Sequence, residues 1–275
     1  MHRPIPPGGV FMKVISLRKW QQRALVCLMA ALMHTQTFAD DCGSAPIPYK
    51  ANYALTRNDK PAGSMQMVLE RNSADTFSYR MDTRAKWGFF RSYIHQQSAF
   101  TWKNGMLRPD RFRLTQQVSF YKRAESVDFD WETMRATGTK KRADFELEIQ
   151  PGMQDKLTIY LLLARALCDG EKSIDAEVVS GPVLKPYRYR LQAMESLDTK
   201  LGRLPTIHLR RGGPNSEKQT DLWHAAEVHF LPVKLVYRNR DKVITMNLTD
   251  ISFSEANSGA EAPSIAGKRA SASQP

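Results

Sequence analysis

The sequence predicts a mainly β domain, a strongly curved antiparallel sheet or incomplete barrel with one amphipathic helix covering its concave side. Three observations carry this. Apolar and polar residues alternate with a period of two through most of the span from Tyr49 to Phe253. Clusters of turn-forming residues separate the alternating runs, and one segment alone switches to helical spacing.

The first run places Tyr49, Ala51, Tyr53 and Leu55 on one face, and Met65, Met67 and Leu69 follow after Asn58-Asp59-Lys60-Pro61. Thr76 to Trp87 is the clearest strand. There Phe77, Tyr79, Met81, Ala85 and Trp87 fall on one parity, and Ser78, Arg80, Asp82, Arg84 and Lys86 on the other. The same pattern recurs at Val127, Phe129 and Trp131 and at Phe145, Leu147 and Ile149, with turns at Lys103-Asn104-Gly105 and Thr137-Gly138-Thr139. Pro151-Gly152 then ends a strand, Asp155 can cap a helix, and Leu157, Tyr160, Leu161, Ala164 and Cys168 recur at helical spacing up to Asp169-Gly170. Alternation resumes through Tyr187, Tyr189 and Leu191; Ile207 and Leu209; Val233, Leu235 and Tyr237; and Ile244, Met246 and Leu248. More than ten such strands with one helix favour a curved sheet over a transmembrane barrel, whose lipid-facing parity would be uniformly apolar between aromatic girdles.

The ends of the chain carry a different message. A basic stretch from Lys13 to Arg23, an apolar run from Ala24 to Met33 and then Thr37-Phe38-Ala39 form a secretory signal pattern with cleavage expected after Ala39, and Met12 is an alternative start. The expected organisation is a signal peptide over 1–39, a linker over 40–46, the β domain over 47–254 and a disordered tail over 255–275, where large apolar side chains are almost absent. The apolar run is too short to span a bilayer as a helix, so the expected product is periplasmic and not membrane-spanning. Neither Cys27 nor Cys42 stands in a lipoprotein-type context. Loss of residues 1–39 leaves two thiols, Cys42 and Cys168, expected as a disulfide in an oxidising compartment, with two free thiols as the alternative. It also lowers Lys plus Arg from 40 to 35 against 28 acids, a net charge of +7. In that compartment the charge points to anionic head groups or glycans rather than nucleic acid.

Several segments together resemble a family of exported bacterial proteins known as domain of unknown function 3108. They are Tyr49-Lys50-Ala51-Asn52-Tyr53 with Pro61-Ala62-Gly63, Trp87-Gly88-Phe89-Phe90, Gly105-Met106-Leu107-Arg108-Pro109, and Pro151-Gly152-Met153-Gln154-Asp155 leading to Tyr160. The resemblance covers about residues 47–254 and brings no catalytic residues with it. Asp221-Leu222-Trp223-His224 and Phe230-Leu231-Pro232-Val233-Lys234-Leu235 also look like the last strands of periplasmic lipoprotein carriers, half-barrels lined with apolar side chains.

Catalytic chemistry finds little support. In His224-Ala225-Ala226-Glu227-Val228-His229 the two histidines stand five positions apart in a strand and turn context, a spacing that fails the one-turn requirement of a zinc helix and suggests a turn and surface role. His95 and His208 have no local partners in sequence. Asp128, Asp130 and Glu132, and likewise Asp144, Glu146 and Glu148, lie on polar parities where cross-strand cations would solvate them. No nucleophile elbow, phosphate loop or dinucleotide fingerprint occurs, so the expectation is a non-enzyme without cofactor or metal. The leading functional expectation is an apolar ligand, a lipid or an acylated protein, held against a concave face lined by Tyr53, Met65, Met67, Phe77, Tyr79 and Met81. The alternative is an envelope interaction or assembly factor acting through Trp87, Phe89, Phe90, Arg91 and Tyr93. Four aromatics in seven positions around a glycine cannot all face one side of a strand, and nearby cations, among them Lys122 and Arg123, would attract anionic lipid or lipopolysaccharide. An envelope protein is the other partner considered, and a hydrolase ranks last.

Overall fold

The computed structural model describes residues 42, 44–213 and 216–254; the segments read as signal peptide and C-terminal tail lie outside them. Eight strands precede the helix: β1 (Tyr49–Arg57), β2 (Lys60–Arg71), β3 (Thr76–Trp87), β4 (Phe90–Lys103), β5 (Met106–Val118), β6 (Tyr121–Asp130), β7 (Arg135–Lys140) and β8 (Ala143–Glu148). Helix α1 (Ile159–Cys168) follows, and then β9 (Ser173–Val179), β10 (Leu184–Thr199), β11 (Gly202–Arg211), β12 (Lys218–Ala225), β13 (Leu231–Asn239) and β14 (Lys242–Phe253). All fourteen join one antiparallel sheet in the order β8-β7-β6-β5-β4-β3-β2-β1-β14-β13-β12-β11-β10-β9.

The first and last strands therefore pair in the middle of the sheet, and the edges are the two strands that flank the helical insertion. The sheet is an incomplete barrel. Its β9 edge is covered by the chain leading into the helix, where the Gln154 amide donates to the Glu177 carbonyl and the Val179 amide to the Gln154 carbonyl, both at 2.9 Å. Lys140 Nζ donates to the Ser180 carbonyl at 2.8 Å, joining β7 to the turn after β9. Local chemistry explains the hairpins. Asn58-Asp59 and Asn104-Gly105 hold both central residues at positive φ, the turn that follows the twist of paired strands. Gly138 is required for close approach, because a Cβ there would lie 2.0 Å from the Ser126 carbonyl oxygen of β6.

The apolar parity read from the sequence faces the core. Phe77 and Tyr79 of β3 are buried and stack or bond with Phe100 and Tyr49, while Arg80 and Asp82 on the opposite face pair with each other at 3.2 Å. That charged outer parity is the reverse of the apolar belt a membrane barrel shows to lipid. Among the described residues no helix is long and apolar enough to cross a membrane.

The helix lies against the concave side and joins two clusters. Leu161, with Leu157 just ahead of it, packs among Tyr53, Met67 and Tyr79; Ile159, Leu163 and Leu167 pack against Ile174, Tyr189, Leu209, Leu222 and Leu235 from β9 to β13. The spacing predicts a narrower stripe, Leu157, Tyr160, Leu161, Ala164 and Cys168. Leu157 and Leu161 are buried as read, Tyr160, Ala164 and Cys168 are half-buried, and Ile159, Leu163 and Leu167 are buried as well, because a helix enclosed by a curved sheet is covered over a wide arc. Each fully buried leucine contributes about 2 kcal/mol. The helix also begins later than Asp155. That carboxylate accepts the amides of Leu157 and Thr158 at 2.7 and 2.8 Å and the Ser98 hydroxyl at 2.5 Å, closing the turn ahead of the helix and tying it to β4. Burial pushes the Asp155 pKa up, and the hydrogen bonds pull it back. Cys168, the last helical residue, forms a disulfide with Cys42 across a Cα separation of 5.6 Å.

Candidate functional site, an aromatic and basic rim

The six side chains expected to line a ligand cavity are packed. Tyr53, Met65, Met67, Phe77, Tyr79 and Met81 are 0–6% exposed and belong to the cluster that contains Leu157 and Leu161. So little of their surface admits a water-sized sphere that they pack as part of the core. Their polar atoms are satisfied within the core. The Tyr49 and Tyr79 hydroxyls are 2.7 Å apart, and the Tyr53 hydroxyl donates to the Pro232 carbonyl at 2.9 Å. Burial, first of all, raises all three phenol pKa values and keeps these side chains neutral. The helix fills the space that an open half-barrel would offer.

The exposed aromatic residues lie elsewhere. Phe89 sits in the turn between β3 and β4 at 102% exposure, with Phe90 and Tyr93 about half exposed behind it. Trp87 is half-buried, stacked against Phe90 at 6.4 Å between centroids and covered by the Arg57 guanidinium at 5.0 Å. Arg91 is exposed, and its carbonyl accepts the Ser119 amide at 2.8 Å. That bond locks the β3–β4 turn beside the β5–β6 turn, where Phe120 stands at 104% exposure and Tyr121 at 59%. Phe120 and Tyr121 are not among the contact residues expected from the sequence. Their signal was Val118-Ser119-Phe120-Tyr121-Lys122, a turn residue followed by two aromatics and a cation, but only the pairing of Ser92 with Val118 makes them neighbours of Phe89 and Phe90.

A groove of about 1360 Å³ runs below these tips across β3 to β7. Its two acids are already engaged: Asp82 holds His95 Nδ1 at 2.6 Å and Arg80 at 3.2 Å, and Glu125 holds Lys156 at 2.5 Å and Lys140 at 3.7 Å. Desolvation lowers the Lys156 pKa, while Glu125 works against that shift. Of the lining cations, Arg113 pairs with Asp128 at 2.8 Å. Arg84, Lys122, Arg123, Lys141 and Arg142 form no ion pair among the described residues, and Arg123 Nε is buried without a hydrogen-bond partner. Lys141 and Arg142 make the β7–β8 turn with φ of 53° and 68°. Asn-Gly would hold that geometry without strain, so two cations are kept there at a cost of about 1 kcal/mol each.

The histidines differ from the sequence reading in one respect and in partners. His224 is fully buried rather than at the surface; its Nδ1–H donates to the Phe230 carbonyl at 2.7 Å, Nε2 has no partner among the described residues, and burial lowers its pKa to about 4. His208 finds its partners across strands. It stacks on Trp223 and reaches the buried Asp221 at 2.7 Å, which also accepts from Arg210 at 2.6 Å and from Arg238. With His208 only 7% exposed and Asp221 occupied by two guanidinium groups, this network crosslinks β11, β12 and β13. Asp128 and Glu146 are paired with Arg113 and Arg135, as the polar parity implied.

Fold and surface together define a mainly β, barrel-like protein with a filled interior and a cationic aromatic rim. The chain belongs to the family described as protein of unknown function DUF3108, whose profile matches residues 49–249. Among solved structures it is similar to a beta-barrel-like protein of domain of unknown function DUF1849 from Brucella abortus, at 10% identity and a TM-score of 0.51, covering 76% of this chain and 99% of that one. That likeness concerns the fold. Immune modulator A of Aeromonas veronii also matches, at 6% identity and a TM-score of 0.20 over 74% of this chain and 95% of that one. No curated protein matches.

Proposed function

We propose that this protein is a non-catalytic, exported factor of the bacterial cell envelope that docks on an anionic lipid surface through the rim formed by the β3–β4, β5–β6 and β7–β8 turns. The observation that carries the reading is the pair of adjacent hairpin tips with Phe89 and Phe120 fully exposed, flanked by Arg91, Lys122, Lys141 and Arg142. A single exposed aromatic is ordinary; two on neighbouring tips, backed by Phe90, Tyr93 and Tyr121, make an apolar patch with no internal use. Charge complementarity selects the occupant. Each Lys or Arg near an anionic bilayer contributes about 1 kcal/mol, and each inserted Phe about 2 kcal/mol. The packed interior supports docking from outside rather than carriage of a lipid within.

Vesicle co-sedimentation tests this. The protein should bind vesicles containing phosphatidylglycerol and ignore those of phosphatidylcholine alone. Phe89→Ser with Phe120→Ser should weaken binding by about 4 kcal/mol, and Lys141→Gln with Arg142→Gln should weaken it and flatten its salt dependence. Equal binding to neutral vesicles, or a double Phe variant that sediments like the parent, refutes the reading.

A further inference from the structure

On the other arm of the sheet, a second groove of about 830 Å³ lies where the start of β10 meets the end of β11. Its lining includes six cations, Lys185, Arg188, Arg190, Arg210, Arg211 and Lys218, and no acidic residue. Two of them are committed. Arg190 makes a two-pronged contact with Asp175 at 2.6 and 3.1 Å, and Arg210 donates to Asp221 at 2.6 Å. Lys185, Arg211 and Lys218, which the register places on one face of the sheet, form no ion pair among the described residues; Arg188 stands on the opposite face with Arg190 and Arg210, near Asp175.

Arg211 is held in place without a carboxylate. Its guanidinium lies 3.8 Å over the Tyr187 ring and 5.8 Å from that of Tyr189, and Nη2 donates to the Thr220 hydroxyl at 3.1 Å. Its Nε is buried, with no hydrogen-bond partner among the described residues. A planar guanidinium fixed by stacking, with Lys185 and Lys218 unpaired on the same face, is a preorganised anion receptor. We propose that this groove binds a phosphoryl group. The charge count decides the class: a single carboxylate offsets one of the unpaired cations, whereas a phosphomonoester or pyrophosphate offsets two or more and offers oxygens to several donors at once.

Isothermal titration at constant ionic strength provides the test, with inorganic pyrophosphate, glycerol 3-phosphate and acetate as probes. Pyrophosphate should bind and acetate should not. Binding of glycerol 3-phosphate as well assigns a phosphorylated headgroup, and binding of pyrophosphate without it assigns a free anion. Lys185→Gln with Lys218→Gln, both at the groove surface, should weaken pyrophosphate at least about tenfold without moving the melting temperature of the unliganded protein. The Phe89→Ser, Phe120→Ser protein should keep this site intact, which separates it from the lipid-docking rim. Acetate binding as well as pyrophosphate, no binding at all, or full binding by the double lysine variant overturns the proposal.

Discussion

Acidification from pH 7 to pH 5 should cost this protein stability through His224, and substitution of that residue isolates the effect. Its ring is fully buried, with Nδ1–H committed to the Phe230 carbonyl and Nε2 facing no acceptor, so a second proton has nowhere favourable to go. Burial sets the folded pKa at about 4 against 6.5 for the unfolded chain. Above pH 6.5 both states hold the neutral ring and the group is indifferent. As pH falls below 6.5 the unfolded state takes up a proton that the folded state refuses, and the loss continues until the folded ring also titrates near pH 4. At pH 5 the linked cost is about 2 kcal/mol relative to pH 7. Asp155 works in the opposite direction, since its burial-raised pKa makes the folded state the stronger proton binder. The comparison is therefore made with His224→Asn, whose amide can still donate to Phe230. Urea unfolding followed by tryptophan fluorescence at both pH values should show a drop in the parent about 2 kcal/mol larger than in the variant. Equal drops would refute the argument that burial keeps this ring neutral.

Two further outcomes follow from the covalent and backbone geometry. Cys42 and Cys168 are 126 residues apart, so in the chain-entropy model Cys168→Ser should lower stability by about 5 kcal/mol, read as a shifted denaturation midpoint; an unchanged midpoint removes the disulfide from the stability account. Gly138→Ala should cost more than about 3 kcal/mol because its Cβ would meet the Ser126 carbonyl at 2.0 Å, whereas Gly88→Ala, with open space around it and a φ of 56°, should cost only about 1 kcal/mol; calorimetric melts of the two variants check the ranking.

The rim explains why some local rules are broken where they are. Asn-Asp and Asn-Gly serve the β1–β2 and β4–β5 turns, yet the β7–β8 turn carries Lys141-Arg142 in the same left-handed geometry. Phe89 and Phe120 likewise occupy tips where polar residues would dissolve better. Each departure costs stability or solubility, and all three fall on one end of one arm of the sheet. Left-handed geometry at bulky residues also occurs away from the rim, at His229 and Phe230, so it is the exposed aromatic surface together with unpaired charge that marks this end of the sheet.

The fold class was legible because strand parity is a local property. Alternation at Thr76 to Trp87 marked the whole of β3 and its buried face, and the switch to helical spacing after Pro151-Gly152 located the only α-helix of the described residues. The Asn-Gly and Asn-Asp turns were equally plain. Parity says which side chains share a face, but not how far that face is closed. Met67 and Tyr79 read alike for an open cavity and for a packed core, and the choice fell to the helix, whose leucines fill the concave side from two directions. The same limit hid the grooves. Phe89 joins Phe120, and Arg211 joins Lys185 and Lys218, only through the register between consecutive antiparallel strands, and His224 lies buried in β12 between its partners Ile207 of β11 and Pro232 of β13 rather than in a surface turn. A period of two is set by the geometry of one strand, whereas burial and neighbourhood are set by the curvature and register of fourteen.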